Sequence, residues 1–188
     1  MQLAHFAEVL DFWFGAPDSA ERGRPRNAWF RKSDAFDAEV HGRFLAVWEQ
    51  AAGGELDRWQ STPLAALALI VVLDQFPRNM FRGTARAFAT DAPALAAAAL
   101  AVDRGFDRLY APSERTFAYL PFEHAEDIAA QRRSLALFRA CDPDNVEWAE
   151  RHHEIVARFG RFPHRNAALG RESTPAEIEF LKQPGSSF

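Results

Sequence analysis

Three short segments hold the residues of this chain that could do chemistry. The first is Asp74-Gln-Phe-Pro-Arg-Asn-Met-Phe-Arg-Gly83. The second is Leu120-Pro-Phe-Glu-His-Ala-Glu-Asp127, with Gln131 just beyond it. The third is Phe159-Gly-Arg-Phe-Pro-His-Arg-Asn166, continuing to Gly170-Arg171. The first and third share a pattern, Phe-Pro followed by cationic residues and Asn. Neither 75–90 nor 159–171 contains an acidic residue, although the chain as a whole carries a net charge of -4. Pro77 predicts the end of one helix and the first turn of another, with Arg78 and Asn79 in that turn. His164 and Arg165 take the same places after Pro163. A cation in a first turn opposes the helix dipole by about 0.3–1 kcal/mol unless an anion lies close. The N–H groups of such a turn also suit anions. Asp74, near the negative end of the preceding helix, needs a cation partner.

These segments support three readings. In the first the chain is a binding module, in which Arg78, Arg82, Arg161 and Arg165 collect on one concave face with Asn79 and Asn166. Glu123, Asp127 and Gln131, spaced i, i+4 and i+8, would share a neighbouring helix face. Such a groove suits a small anionic molecule or an acidic or C-terminal peptide, held by bidentate arginines. In the second reading the chain is an enzyme, with His124 or His164 as general acid or base and Glu123 as the carboxylate that orients it. In the third the same residues form a buried polar network with no ligand. His152 lies on the inward stripe Trp148, His152, Ile155, Phe159, either as a hydrogen-bonded core histidine or as a ligand contact. Glu123, Glu126 and Asp127 also fit a first helical turn, where carboxylates complement the dipole. Glu123, His124 and a later His match no known metal-ligand spacing, so neither a metal nor a cofactor is expected. The tail Pro184 to Phe188 could fold back and bring its terminal carboxylate to one of the arginine turns.

Composition bounds the possibilities. A chain of 188 residues, 48% hydrophobic with 17 Phe and 5 Trp, can bury one sizeable core and reads as a single domain over 1–188. The acidic balance argues against broad nucleic-acid binding. The single cysteine, Cys141, cannot close an internal disulfide, which suits the cytoplasm. The first fourteen residues contain no Lys or Arg, so no charged signal-peptide start is visible. The apolar run Leu64–Leu73 is too short to span a bilayer, and no membrane role is expected. Oligomeric state is not legible.

Stepping through the chain, strand signals are nearly absent and helix signals recur. A first helix carries Leu3, Phe6, Leu10, Trp13 and Phe14 on one stripe and stops at Gly15. A second runs over Asp34–Ala52. Thr62-Pro63 opens a third that is apolar almost all round and therefore central. An Ala-rich fourth starts at Asp91. A short helix over Ser113–Tyr119 and a long one after Pro121 to Cys141 follow. The last two cover Asn145–Phe159 and the segment opened by the capping box Thr174-Pro175-Ala176-Glu177. Eight or nine helices joined by short loops predict an all-α fold of stacked helix pairs. No 34-residue repeat is sustained.

The three segments, together with Val9-Leu-Asp-Phe-Trp-Phe-Gly15, resemble a bacterial family known as domain of unknown function 924. The matching strings are Leu73-Asp-Gln-Phe-Pro-Arg-Asn-Met-Phe-Arg-Gly-Thr84, Tyr119-Leu-Pro-Phe-Glu-His-Ala-Glu-Asp127 and Arg158-Phe-Gly-Arg-Phe-Pro-His-Arg-Asn166. One departure is Ala125, where the family more often has Ser. The resemblance implies a tetratricopeptide-like α-α superhelix and brings no activity or catalytic residues with it.

Overall fold

The computed structural model describes residues 5–29 and 31–187. Among them the chain is all-α, with eight α-helices joined by loops and short 3-10 turns. They are α1 (Phe6–Phe14), α2 (Asp34–Ala52), α3 (Pro63–Met80), α4 (Asp91–Asp103), α5 (Pro112–His124), α6 (Ile128–Cys141), α7 (Val146–Phe159) and α8 (Pro175–Phe180). Leu3 and the terminal carboxylate of Phe188 lie outside the described residues.

The apolar pattern of α3 decides the architecture. Every residue from Ala65 to Pro77 is buried, and α1, α2, α4 and α5 pack around it. Leu67, Ile70, Val71 and Val72 are fully shielded, each worth about 1.5–3 kcal/mol relative to exposure. The aromatic residues of α1 and α2 close one side, with Phe76 against both Phe44 and Trp13. Consecutive helices α5, α6 and α7 continue the stack beyond α3. Neighbour-on-neighbour packing of this kind is compatible with the tetratricopeptide-like arrangement.

Three local expectations need correction. Pro77 does not end α3, which continues through it to Met80. A proline inside a helix strands the carbonyl four residues back, here that of Leu73. The Thr90 hydroxyl donates to that carbonyl at 2.6 Å, and the Trp48 indole donates to Thr90 at 3.1 Å. Tertiary contacts thus supply the bond that the proline removes. Arg78 consequently sits in the last turn of α3, the end where a cation is favoured, not in a first turn.

The second correction concerns 113–141. One helix, α5, runs through Pro121 to His124, and the chain breaks at Ala125–Asp127 before α6. Asp127 is the N-cap of α6 and accepts from Ala130 N at 2.7 Å. Glu123 and Asp127 therefore belong to different helices and share no face. The Gln131 amide donates to the carbonyls of Glu123 and Ala125, at 2.6 and 2.8 Å, satisfying acceptors that a helix end leaves open. Third, Trp148 is 49% exposed, so the inward stripe of α7 is Ala149, His152, Ile155 and Val156.

The segment Ala85–Asp103 is apolar enough in composition to suggest a membrane span, but it is not one continuous helix. It consists of a 3-10 turn followed by the 13-residue α4. A span needs about 20 helical residues.

Candidate functional site

The end of α3, the end of α5, the start of α4 and the turn after α7 meet in one polar cluster. Asp74 on α3 is at its base, fully buried. His124 Nδ1 lies 2.8 and 3.0 Å from the two Asp74 carboxylate oxygens. The Gln75 amide donates to Oδ2 at 2.6 Å, and Arg78 Nη1 stands 3.2 Å from Oδ1. Burial works against the charge on Asp74, but Arg78 and His124 outweigh it and hold the carboxyl well below the usual range. An ionised carboxylate only accepts, so the network assigns the proton to His124 Nδ1. Burial, then the neighbouring Arg78, pushes the His124 pKa down against the partial support of Asp74. The ring is therefore neutral at neutral pH, with its lone pair on Nε2. That nitrogen makes no hydrogen bond among the described residues. The His124 side chain keeps 15% of its surface exposed.

Two arginines stand beside this pair and share one carboxylate. Arg78 Nη1 lies 2.8 Å from Asp91 Oδ1, and Arg165 Nη1 lies 3.0 Å from Asp91 Oδ2. Both guanidinium groups stack over the Phe88 ring, at 5.8 and 4.7 Å, and Arg165 also stacks over Phe162 at 4.5 Å. Burial opposes the Arg78 charge, but Asp74 and Asp91 together raise its pKa. Burial and Arg78 lower Arg165 to about 10, which still leaves it charged at neutral pH. Two arginines face two aspartates, so the cluster is balanced within itself.

A second carboxylate–imidazole pair lies alongside. His152 Nδ1 is 2.8 Å from the Trp148 carbonyl and 3.1 Å from Glu123 Oε1. The His124 and His152 rings are 6.2 Å apart. Burial first, then Asp74, pushes Glu123 up to about 8, and burial and His124 push His152 down to about 3. Both groups are thus neutral at neutral pH, and their 3.1 Å contact is not an ion pair. Glu123 was expected to orient His124; Asp74 does so instead. His164 lies in the same turn as Arg165, with burial and then Arg165 lowering its pKa to about 4.

The other expected site residues go elsewhere. Asn79 and Arg82 both bond Asp37 on α2, with Asn79 Nδ2 at 2.7 Å. Arg161 makes a bidentate pair with Glu177, at 2.7 and 2.8 Å. Asn166 bonds Ser173 and accepts from Arg171. Asp127 and Gln131 serve the α5–α6 junction. Of the four arginines expected to share a groove, only Arg78 and Arg165 share a partner. Gly160, at φ 68°, turns the chain out of α7 in the left-handed region that glycine tolerates. Glu126 then ties down the following loop, pairing with Arg171 at 2.6 and 2.9 Å and accepting from Phe162 N at 2.7 Å.

Asp91 and Phe88 are central here and carried no functional signal in the sequence. Asp91 reads as a helix start, and nothing local ties it to Arg165 seventy-four positions away. Asp74 did carry one: a carboxylate at a helix C-terminus requires a cation, and Arg78 supplies it one turn on. Two open surface hollows, of about 430 Å³ beside Trp59 and about 390 Å³ beside Phe180, are lined by none of the cluster residues.

The family model described as "Bacterial protein of unknown function (DUF924)" matches residues 9–185. A solved structure of a protein of unknown function from Agrobacterium tumefaciens is 45% identical and superposes with a TM-score of 0.85, covering 95% of this chain and 97% of the other. No curated protein is significantly similar. A family match over almost the whole chain, beside a solved structure 45% identical and covered almost end to end, means that this chain belongs to the bacterial family of unknown function DUF924.

Proposed function

We propose that the chain is a cytoplasmic enzyme acting on a small anionic molecule by general acid–base catalysis, without nucleic-acid or membrane partners. The observation that carries this reading is His124. Its Nδ1 is fixed by a buried, ionised Asp74 while Nε2 has no partner among the described residues and the ring retains a solvent-facing edge. A carboxylate that holds an imidazole in one tautomer leaves the opposite nitrogen as a directed base.

The remaining groups take roles that suit this. Arg78 and Arg165 hold the negative group of the substrate. Glu123 stays protonated beside His152 while His124 stays neutral. Two titratable groups pushed in opposite directions within one site are how enzymes separate an acid from a base. The substrate is small, because Arg78, Asp91 and His124 each show at most a fifth of their side-chain surface. A peptide would need a longer exposed groove.

The test is turnover of a panel of small carboxylic and phosphorylated compounds, scored for hydrolysis and isomerisation. Converting His124→Gln should lower turnover by about 10²–10⁴-fold, the usual worth of a positioned acid or base, with binding little changed. Undiminished turnover in that variant removes His124 from the mechanism. Binding of a small anion without chemistry is the second reading. It is favoured by the fact that the two arginines already hold a carboxylate, and it stands if ligands bind but none is turned over.

A further inference from the structure

We propose that Asp91 is an internal competitor: its carboxylate occupies the place between Arg78 and Arg165 that the carboxylate of a small organic acid takes when the ligand binds. This rests on the reading of the two arginines as the anion clamp and names the ligand class.

Three observations support the proposal. The first is the fit. One planar carboxylate, with one oxygen toward each guanidinium, bridges side chains from α3 and from the turn after α7. The space between Nη1 of Arg78 and Nη1 of Arg165 is thus carboxylate-sized. The second is that the clamp does not depend on Asp91 for its shape. Arg78 is held by the Asp74 carbonyl at 2.6 Å and by the Asp74 carboxylate. Arg165 is held between the Phe88 and Phe162 rings. A ligand would meet donors already in place, which lowers the cost of binding.

The third is that Asp91 is an imperfect occupant. Its Oδ1 lies 2.8 Å from Arg78 Nη1 but accepts no well-directed hydrogen bond. Arg165 Nε, on a side chain 94% buried, and Arg78 Nη2 have no hydrogen-bond partner among the described residues. Buried donors of this kind are costly to leave unmade. A carboxylate on a mobile ligand can span the Nη1–Nη2 edge of Arg78, which the carboxylate tethered to the first residue of α4 leaves half used. The exchange is neutral in charge, one carboxylate for another, so Asp74 still balances the second arginine. Asp91 itself, 20% exposed and in the first turn of α4, keeps its favourable position at the helix N-terminus when it turns outward.

The experiment is calorimetric titration of the full chain and of Asp91→Asn with acetate, and separately with inorganic phosphate. Removing an occupant that fills the site most of the time should tighten acetate binding by about tenfold. Arg165→Gln in the Asp91→Asn background should abolish the gain. Equal or weaker acetate binding in Asp91→Asn overturns the proposal, as does a preference for phosphate over acetate. In the unsubstituted protein, saturating acetate should shift the Asp91 carboxyl carbon and the Arg165 Nε–H resonance together; if neither moves, Asp91 is not displaced. The acetate titrations require no turnover and the turnover assay requires no acetate, so loss of the acid–base reading would leave this result standing, and loss of acetate competition would leave the turnover result standing.

Discussion

The arginines of the two Phe-Pro segments end up in two different situations. Around Arg78 and Arg165, four elements converge and donors outnumber well-aligned acceptors. Around Arg161 and Arg171, the loop from 159 to 177 is tied down by its own Glu177 and by Glu126. Both guanidinium groups there are bidentate to a carboxylate, Glu177 and Glu126, and each takes a further carbonyl or amide oxygen. The second region is a buckle and the first is a site. A count of arginines does not separate them. What separates them is the hydrogen-bonding capacity left over once the fold is made: an unbonded imidazole nitrogen at His124 and unmatched N–H groups at Arg78 and Arg165.

That contrast can be broken in order of size. Asp74→Ala removes the buried base of the cluster and leaves Arg78 and His124 without their common partner. It should cost about 3–5 kcal/mol in denaturant unfolding, the range for stripping one member from a buried charged group. A loss below about 1 kcal/mol would mean that the cluster is not a coupled unit.

Glu126→Ala should cost less, about 1–3 kcal/mol, because the pair is a quarter exposed and the main loss is the acceptor for Phe162 N–H and Arg171. If the second region is only a buckle, acetate binding measured at a temperature where the variant is folded should not change. Weaker binding would join the two regions into one site.

The smallest effect is in pH dependence. The Glu123 pKa rises from 4.5 in the unfolded chain to about 8 in the fold, so the folded state holds a proton that the unfolded state releases. Its contribution to stability is complete below about pH 4.5 and is lost as pH climbs toward 8. His124, His152 and His164, all depressed, act in the opposite sense: their contributions are lost as pH falls through 6.5. From about pH 7 to 8 the histidines of the unfolded chain are mostly neutral, so Glu123 outweighs them. Stability there should fall by about 0.5 kcal/mol with rising pH. Glu123→Gln should flatten that slope, and an unchanged slope would assign it to another group.

The sequence alone determined the helices and the identity of the central one. A run of apolar residues opened by Thr62-Pro63 can only be a buried helix in a chain with no strand pattern, and everything else must pack on it. The helix cap at Thr174, and the need of Asp74 for a cation, were equally legible, because each is a local electrostatic or hydrogen-bonding demand. What local reasoning could not decide was continuity and convergence. Pro77 and Pro121 read as breaks. Pro77 is carried through by a hydroxyl from Thr90 that sequence cannot place beside Leu73. Which carboxylate orients His124, and that Asp91 bridges Arg78 to Arg165, are settled by contacts between residues fifty and seventy-four positions apart. Side-chain chemistry is written in the chain, but which groups meet, and which are left with something still to bind, follows only from how the helices pack.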